Sequence, residues 1–269
     1  MIVWYLIMIW EMGNNMLSIE RRERIKEILL RKKNVTVAEM AETFNVSTET
    51  IRRDFESLSN EGFLIKTYGG ASLLFKKTIT VSQKVKSSIM REEKRQMAMQ
   101  AAKLIQPNDC IFLDHTTTVY ELCSFISNMP LTVLTNSLPV METLSQYNNI
   151  NLCIPGGDFD IKTQAFFGIE TIQYLKRHCF DKAFISCNSL DMVYGLHDSG
   201  DMIAEVHRSI LDCADVICLV ADHTKLDRAA FARTSPLDSI DMLITDKELS
   251  PDWRSYLKEH DIKLIECGK

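Results

Sequence analysis

The chain has 269 residues, 46% of them hydrophobic, so it can bury a sizeable core and extended disorder is excluded. Its formal net charge of −5 argues against a polyanionic partner for the chain as a whole. The charge is uneven, however: residues 1–106 carry +6 and residues 107–269 carry −11, so only the front part suits nucleic acid. The chain starts with MIVWYLIMIW, apolar without a break but too short to span a bilayer. No positive n-region precedes it and no small-residue cleavage site follows, so a signal peptide fits badly. A helix with Ile25, Ile28 and Leu29 on one face comes next. Thr36 and Glu39 then stand three apart before an apolar run, the pattern of a capping box. Val37, Met40, Ala41 and Phe44 recur at helical spacing, which predicts a short helix with one apolar face.

Asn45-Val46 interrupts that helix, and Ser47 is a good N-cap for another. In this second helix Ile51, Phe55 and Leu58 face inward, which leaves Thr48, Glu49, Thr50, Arg52 and Arg53 outside on its N-terminal half. A recognition helix presents those positions to base edges and phosphates. Gly62 ends the helix, and Phe63 to Tyr68, with Lys66 among them, forms a strand-like run that closes at Gly69-Gly70. That is the shape of a wing. An ordinary helical hairpin with a solvated Arg pair is the plainer alternative, but the order of helix, two helices at a tight turn and wing favours a DNA-binding module.

Ser72 to Ser88 is basic without a sustained period and reads as a linker. Arg91 to Ile105 turns helical, with Met97, Ala98, Ala101, Ala102 and Ile105 on its apolar face, and Pro107-Asn108-Asp109 ends it. Much of the positive excess of the front part falls after the wing, in Lys76, Lys77, Lys84, Lys86, Arg91, Lys94, Arg95 and Lys103. From Cys110 short apolar runs alternate with amphipathic segments. Strands are expected at 110–113, 131–134, 151–154, 183–186, 216–220, 242–244 and 263–265. Helices are expected at 119–126, 140–146, 169–177, 202–213 and 253–259. Continuous apolar strands separated by helices predict a mostly parallel sheet covered on both faces, a doubly wound α/β domain.

Ligands of such sheets bind beyond the carboxyl ends of the strands. Here the first strand runs into Asp114-His115-Thr116-Thr117-Thr118, the second into Thr135-Asn136-Ser137 and the third into Gly156-Gly157-Asp158. The fifth runs into Asp222-His223-Thr224-Lys225. Hydroxyls at a helix N-terminus, a pair of glycines and a cation suit a small phosphorylated polyol, although capping and turn roles account for any one loop. Asp-His-Thr occurs twice, at 114–116 and 222–224. Capping explains both copies, so neither a metal nor a cofactor is expected. Eight cysteines without a C-x-x-C pair lie partly in apolar runs such as CIFL and VICLV, which points to a reduced, cytoplasmic protein.

In RRERIKEILL and VTVAEMAETFNVSTETIRRDFESLSNEGFLIKTYGGA the chain resembles the DeoR family of bacterial transcription regulators. Thr50, Arg52, Arg53 and Asp54 match that family's T-x-R-R-D core, and Gly69, Gly70 and Ala71 match its closing Gly-Gly-Ala. The resemblance covers residues 18–267 and continues through LTVLTNSLPV, IPGG, FFG, DKAFIS and SIDMLITD. It implies a sensor domain that looks like the fold of sugar-phosphate isomerases and binds a phosphorylated sugar without turning it over. On that analogy Thr116, Thr117 and Thr118 cradle phosphate beside Asp114, and Lys225 gives the opposing charge. Asn136, Ser137, Gly156 and Gly157 line the opening, and Lys182 matches the lysine of the family's D-K pair. Three positions depart from the family: Thr116 replaces an expected glycine, His207-Arg208 a Lys-Arg pair, and His223-Thr224 a pair of serines. Met16 starts a chain of normal appearance for the family, so residues 1–15 are expected to stem from an upstream start codon.

The resulting expectation is an N-terminal winged helix-turn-helix at 16–71, a linker at 72–90 and an effector-sensing α/β domain at 91–269. DNA contacts are assigned to Thr36, Ser47, Thr48, Glu49, Thr50, Arg52, Arg53, Lys66, Tyr68, Gly69 and Gly70. The expected function is a repressor of a carbohydrate-utilisation operon, binding double-stranded operator DNA as a homo-oligomer, released by a phosphorylated sugar, with no membrane partner. An enzyme of the sugar-phosphate isomerase type is the alternative, with Asp114, Asp158 and Glu205 as candidate bases. The winged module has no role in such an enzyme.

Overall fold

The structure, a computed structural model, describes residues 17–60, 63–73 and 83–268. Residues 1–15, the expected helix end at Gly62, and Lys76 and Lys77 lie outside the described residues. The chain divides into two compact units, residues 1–79 and 80–269.

In the first unit α1 (Ser18–Lys32) leads into the short strand β1 (Asn34–Thr36), then α2 (Val37–Phe44) and α3 (Thr48–Asn60). The hairpin β2 (Leu64–Thr67) and β3 (Gly70–Leu73) follows, and the three strands pair antiparallel in the order β1-β3-β2. The caps are those the sequence predicts. Thr36 Oγ1 accepts the Glu39 N–H at 3.1 Å and Ser47 Oγ accepts the Thr50 N–H at 3.1 Å, each satisfying a donor that the first helical turn leaves free. Between the helices Asn45 adopts a left-handed conformation, φ 51°, which ends α2 and turns the chain sharply. Ile25, Leu29, Met40, Ile51, Phe55 and Leu58 are fully buried, and each such side chain contributes about 1.5–3 kcal/mol through burial.

One buried charge pair spans this core. Arg21 on α1 donates from Nε to Asp54 Oδ2 at 2.6 Å and from Nη2 to Oδ1 at 3.3 Å, a bidentate grip on α3. Asp54 thus belongs to the scaffold, while its neighbours Arg52 and Arg53 face out. Asp54→Ala would leave Arg21 without its carboxylate in a buried place, at a cost of about 3–5 kcal/mol. Chemical denaturation should show the first unit unfolding far earlier in this variant; an unchanged midpoint would refute the role.

The second unit is built on a seven-stranded parallel sheet. Its strands are β4 (Cys110–Leu113), β5 (Leu131–Thr135), β6 (Ile150–Cys153), β9 (Lys182–Ile185), β12 (Ile217–Val220), β14 (Met242–Thr245) and β15 (Lys263–Glu266). All seven expected strands are present, each within two residues of its expected ends. The order β15-β14-β12-β9-β4-β5-β6 means the chain builds outward from β4 to one edge, then returns to β9 and builds to the other. The reversal makes β4/β9 the topological switch point, where a crevice opens at the carboxyl ends. Two buried clusters supply the core, one centred on Phe112, Phe180 and Leu219 and one on Ile111, Phe184 and Val220.

The helices expected at 91–105, 140–146, 169–177, 202–213 and 253–259 are present with shifted ends, and other elements were not expected. The stretch read as a linker contains a helix, α4 (Gln83–Ser88), within the second unit. Gln83 N–H donates to the Lys162 carbonyl and its side chain to the His115 carbonyl, both at 2.9 Å. α5 (Arg91–Ala102) follows. The segment expected as one helix at 119–126 is two short turns, α6 (Thr117–Tyr120) and α7 (Cys123–Ile126). α8 (Leu138–Leu144) is capped by Ser137, and a hairpin of β7 (Asp158–Asp160) and β8 (Ala165–Phe167) precedes α9 (Ile169–Leu175). Strands β10 (Ser189–Asp191), β11 (Gly195–Asp198) and β13 (Ala232–Ser235) form a separate antiparallel sheet. α10 (Asp201–Leu211) and α11 (Pro251–Glu259) complete the unit.

Candidate functional site

The first unit presents its N-terminal α3 face to solvent. Ser47, Thr48, Glu49, Arg52 and Arg53 are exposed there, and Thr50 is half-buried. Glu49 sits between the two arginines, 3.9 Å from Arg52 Nη1 and 3.5 Å from Arg53 Nε. Pairs this exposed contribute little to stability; their effect is to hold both guanidinium groups along one helix face. On the wing, Tyr68 is fully exposed at the tip and Lys66 is exposed but paired with Glu56 of α3. The two wing glycines have different reasons to be glycine. Gly69 has φ 81°, the left-handed region that a tight turn requires. Gly70 is buried, and a Cβ there would lie 2.3 Å from the Val35 carbonyl oxygen. Gly70 therefore builds the wing. Thr36 likewise spends its hydroxyl on the cap of α2.

In the second unit the carboxyl ends of β4, β9 and β12 lie side by side and carry a dense polar cluster. Asp114, fully buried, accepts the Ser186 N–H on Oδ2 at 2.7 Å, and both the N–H and hydroxyl of Thr116 on Oδ1 at 2.8 and 2.7 Å. Lys225 donates to Ser186 Oγ at 2.6 Å, and that hydroxyl donates to the Val220 carbonyl. Asp222 caps its own turn through the Thr224 N–H and hydroxyl. Two further lysines reach the cluster from elements that the sequence reading left out of it. Lys94 on α5 is buried and donates to Thr117 Oγ1 at 3.0 Å and to the Lys86 carbonyl. Lys86 on α4 is half-buried.

The charge of Lys225 acts on both of the other lysines. Burial, and then the charge of Lys225, push Lys86 down to about 8 and Lys94 down to about 7. The carboxylates respond the other way. Burial alone would raise Asp114, but the bond to His207, the nearby His115 and the Thr116 hydroxyl hold it below the usual carboxylate range. Asp222 is lowered against its burial mainly by Lys225 and Thr224. His207, on α10, lies between two acids: its Nδ1 is 2.8 Å from Asp198 Oδ2 and its Nε2 is 3.4 Å from Asp114 Oδ2. Burial opposes its charge, yet the two carboxylates raise it to about 10. Thr234 on β13 donates to the same Asp198 oxygen at 2.6 Å.

The expected site residues therefore divide. Asp114, Thr116, Thr117 and Lys225 gather at the switch point, joined by Lys86, Lys94, Ser186 and Asp222. Thr116 has φ −76°, so the glycine expected at its position is not required by this loop. Its hydroxyl, however, is spent on Asp114 and on the Val119 N–H, and Thr118 is buried. Asn136, one strand away, donates to the Phe166 carbonyl at 3.0 Å while its Oδ1 is buried without a hydrogen-bond partner among the described residues. Ser137 caps α8. Gly156 and Gly157 follow β6, the edge strand of the sheet. A Cβ on Gly157 would meet the Phe167 carbonyl and the Thr171 hydroxyl at 2.3 Å, so close packing with the chain around α9 explains that glycine. Lys182 is at the opposite rim: it opens β9 at the amino end of the sheet and pairs with Asp109 at 2.7 Å.

Of the other expected bases, Asp158 is exposed on β7 and Glu205 pairs with Arg208 on α10. All eight cysteines are unpaired thiols, and Cys123, Cys187 and Cys218 are buried and raised to about 12 by burial.

Residues 21–77 match the DeoR-like helix-turn-helix domain, and residues 89–247 match the DeoR C terminal sensor domain. Among curated relatives, the HTH-type transcriptional regulator IolR of Bacillus subtilis (strain 168) is 30% identical over 91% of this chain and 98% of its own length. The lactose phosphotransferase system repressor of Lactococcus lactis subsp. lactis is 33% identical over 86% of this chain and 92% of its own. Among solved structures, ribose 5-phosphate isomerase A of Methanocaldococcus jannaschii aligns with 51% of this chain and 55% of that chain at 16% identity and a TM-score of 0.38, a likeness too loose to bear on function.

Proposed function

This chain belongs to the DeoR family of transcription regulators, and from that premise we propose that it represses a carbohydrate-utilisation operon and leaves its operator when a phosphorylated sugar binds the second unit. The observation that carries the effector half is the convergence of Lys86, Lys94 and Lys225 at the switch point. Lys225 lowers both Lys86 and Lys94, and three lysines so placed form a receptor for a multiply charged anion. Lys225, Ser186 and Thr117 supply donors at the carboxyl ends where ligands of doubly wound sheets bind. Asp114 and Asp222 are both lowered, so neither is tuned as a general base near neutral pH. The chain is accordingly read as a binder rather than an enzyme, acting in the cytoplasm. Among the described residues no helix is long and apolar enough to cross a membrane.

DNA is assigned to the exposed face of α3, through Thr48, Glu49, Thr50, Arg52 and Arg53, and to Tyr68 and Lys66 on the wing. One winged module offers few base contacts, so two copies on paired half-sites are expected to reach specific affinity. The sign of the proton linkage gives a direct test of the effector site. An anion between the lysines raises the pKa of Lys86 and Lys94 from about 8 and about 7, so binding takes up protons and weakens as the pH rises past about 7, more steeply past about 8. Footprinting locates the operator; calorimetry with a sugar-phosphate panel at pH 8 in buffers of different ionisation enthalpy then counts protons. Uptake of about one proton per chain is expected. Release of protons, or no operator release by any phosphorylated sugar, would overturn the reading.

A further inference from the structure

The Asp-His-Thr motif after β4 behaves differently from its copy after β12. In the second copy His223 turns to Asp246, with Nδ1 at 2.7 Å from Oδ2, and so finds a partner. In the first copy His115 packs face to face with His207, ring centroids 5.9 Å apart, and edge-on to Phe167. Both histidines are more than nine-tenths buried. Among the described residues His115 Nδ1 has no hydrogen-bond partner, while His207 Nε2 faces Asp114 Oδ2 at 3.4 Å. An imidazole nitrogen left without a hydrogen bond in a protein interior, as His115 Nδ1 is, requires an explanation.

We infer that Asp114, His115 and His207 form a binding site for a first-row divalent transition ion of the zinc type. One donor atom from each of the three lies within 4.8 Å of the other two. Two ligands sharing a tetrahedral zinc stand about 3.3–3.4 Å apart, given metal–ligand distances of about 2.0–2.1 Å. The His207 Nε2 to Asp114 Oδ2 separation of 3.4 Å already has that value, and the two edges to His115, each within 4.8 Å, close by a shift of its ring. The supporting shell is also in place. Asp198 faces His207 Nδ1 at 2.8 Å and is itself held by Thr234, the carboxylate–histidine arrangement that fixes which nitrogen faces a metal. Asp114 is oriented by the Ser186 N–H and by Thr116. Two imidazoles and one carboxylate suit zinc, nickel or iron better than calcium or magnesium. Three protein ligands leave a fourth position for a solvent or solute oxygen. Coordination through His207 Nε2 displaces the proton from that atom to solvent and leaves the other on Nδ1, shared with Asp198.

The test uses the full chain, stripped of metal, titrated with zinc(II) against a chromophoric chelator and with cobalt(II) for its absorption spectrum. His115→Ala is the variant of choice, because it leaves the Asp114–His207–Asp198 ion pairs intact. An unchanged chemical-denaturation midpoint of the second unit in that variant confirms that it folds. The expected result is one ion per chain for the wild type and affinity at least about tenfold lower for His115→Ala. The cobalt adduct should show d–d bands without thiolate charge transfer. Equal zinc affinity in the two proteins, no zinc bound by either, or a thiolate band from the eight cysteines would overturn the assignment.

Discussion

Arg52→Ala and Arg53→Ala should each weaken operator binding by about 1–3 kcal/mol, roughly five- to 150-fold, while leaving the fold intact. Both side chains are exposed on α3, and their only ion-pair partner among the described residues is the equally exposed Glu49. Removing either therefore costs the folded protein almost nothing. On DNA the same groups would exchange Glu49 for phosphate or for the acceptor edge of guanine, which Arg contacts with two parallel hydrogen bonds. Gel-shift affinity within about twofold of wild type for both variants would reject the assignment. The contrast with Asp54, next in sequence, is informative. Asp54→Ala should lose DNA binding as well, but by unfolding the unit, and denaturation separates the two causes.

The second large effect is expected at Lys225. Its ammonium donates to Ser186 and neighbours Asp222, so it sits over the carboxyl ends of β9 and β12. A charge-assisted hydrogen bond contributes about 1.5–3 kcal/mol, so Lys225→Ala should weaken effector binding on the order of ten- to 100-fold. Operator affinity without effector should be unchanged. Lys225 also lowers Lys86 and Lys94, and its removal lets both regain protons. The variant should consequently take up less than the wild type's proton on binding. A variant that loses affinity yet keeps full proton uptake would place the titrating groups elsewhere.

The winged module was almost fully legible because its signals are local. Ser47 and Thr36 cap the helices they precede, Ile51, Phe55 and Leu58 repeat at the helical period, and Gly69-Gly70 closes a short hairpin. The parallel sheet was legible for a similar reason: each strand is a continuous apolar run. The effector site was legible only where a strand end met a polar loop, as at Asp114 and Lys225. Lys94 carried a readable signal that went unused. It stands three, four and seven residues before Met97, Ala98 and Ala101, on the buried stripe of its own helix, where a solvated lysine has no place. His207 sits three residues from Ala204 and Ile210 and gave the same warning. Lys182 precedes the apolar run of β9, which alone places it at the amino end and away from the ligand rim. Asp198 and Thr234 were out of reach, since an antiparallel sheet formed from distant segments brings them to His207. The packing reason for glycine at 157 was not legible, because its close neighbours, Phe167 and Thr171, come from a later turn of the chain.

The proposed division of labour is tested most directly by operator affinity, with and without a panel of sugar phosphates, for wild type, Arg52→Ala and Lys225→Ala, together with direct effector binding. The wild type should release DNA on addition of one phosphorylated sugar. Lys225→Ala should stay bound under the same conditions, and Arg52→Ala should bind DNA poorly while keeping wild-type effector affinity. If Lys225→Ala releases DNA at the same effector concentration as the wild type, the phosphate does not bind at the switch point.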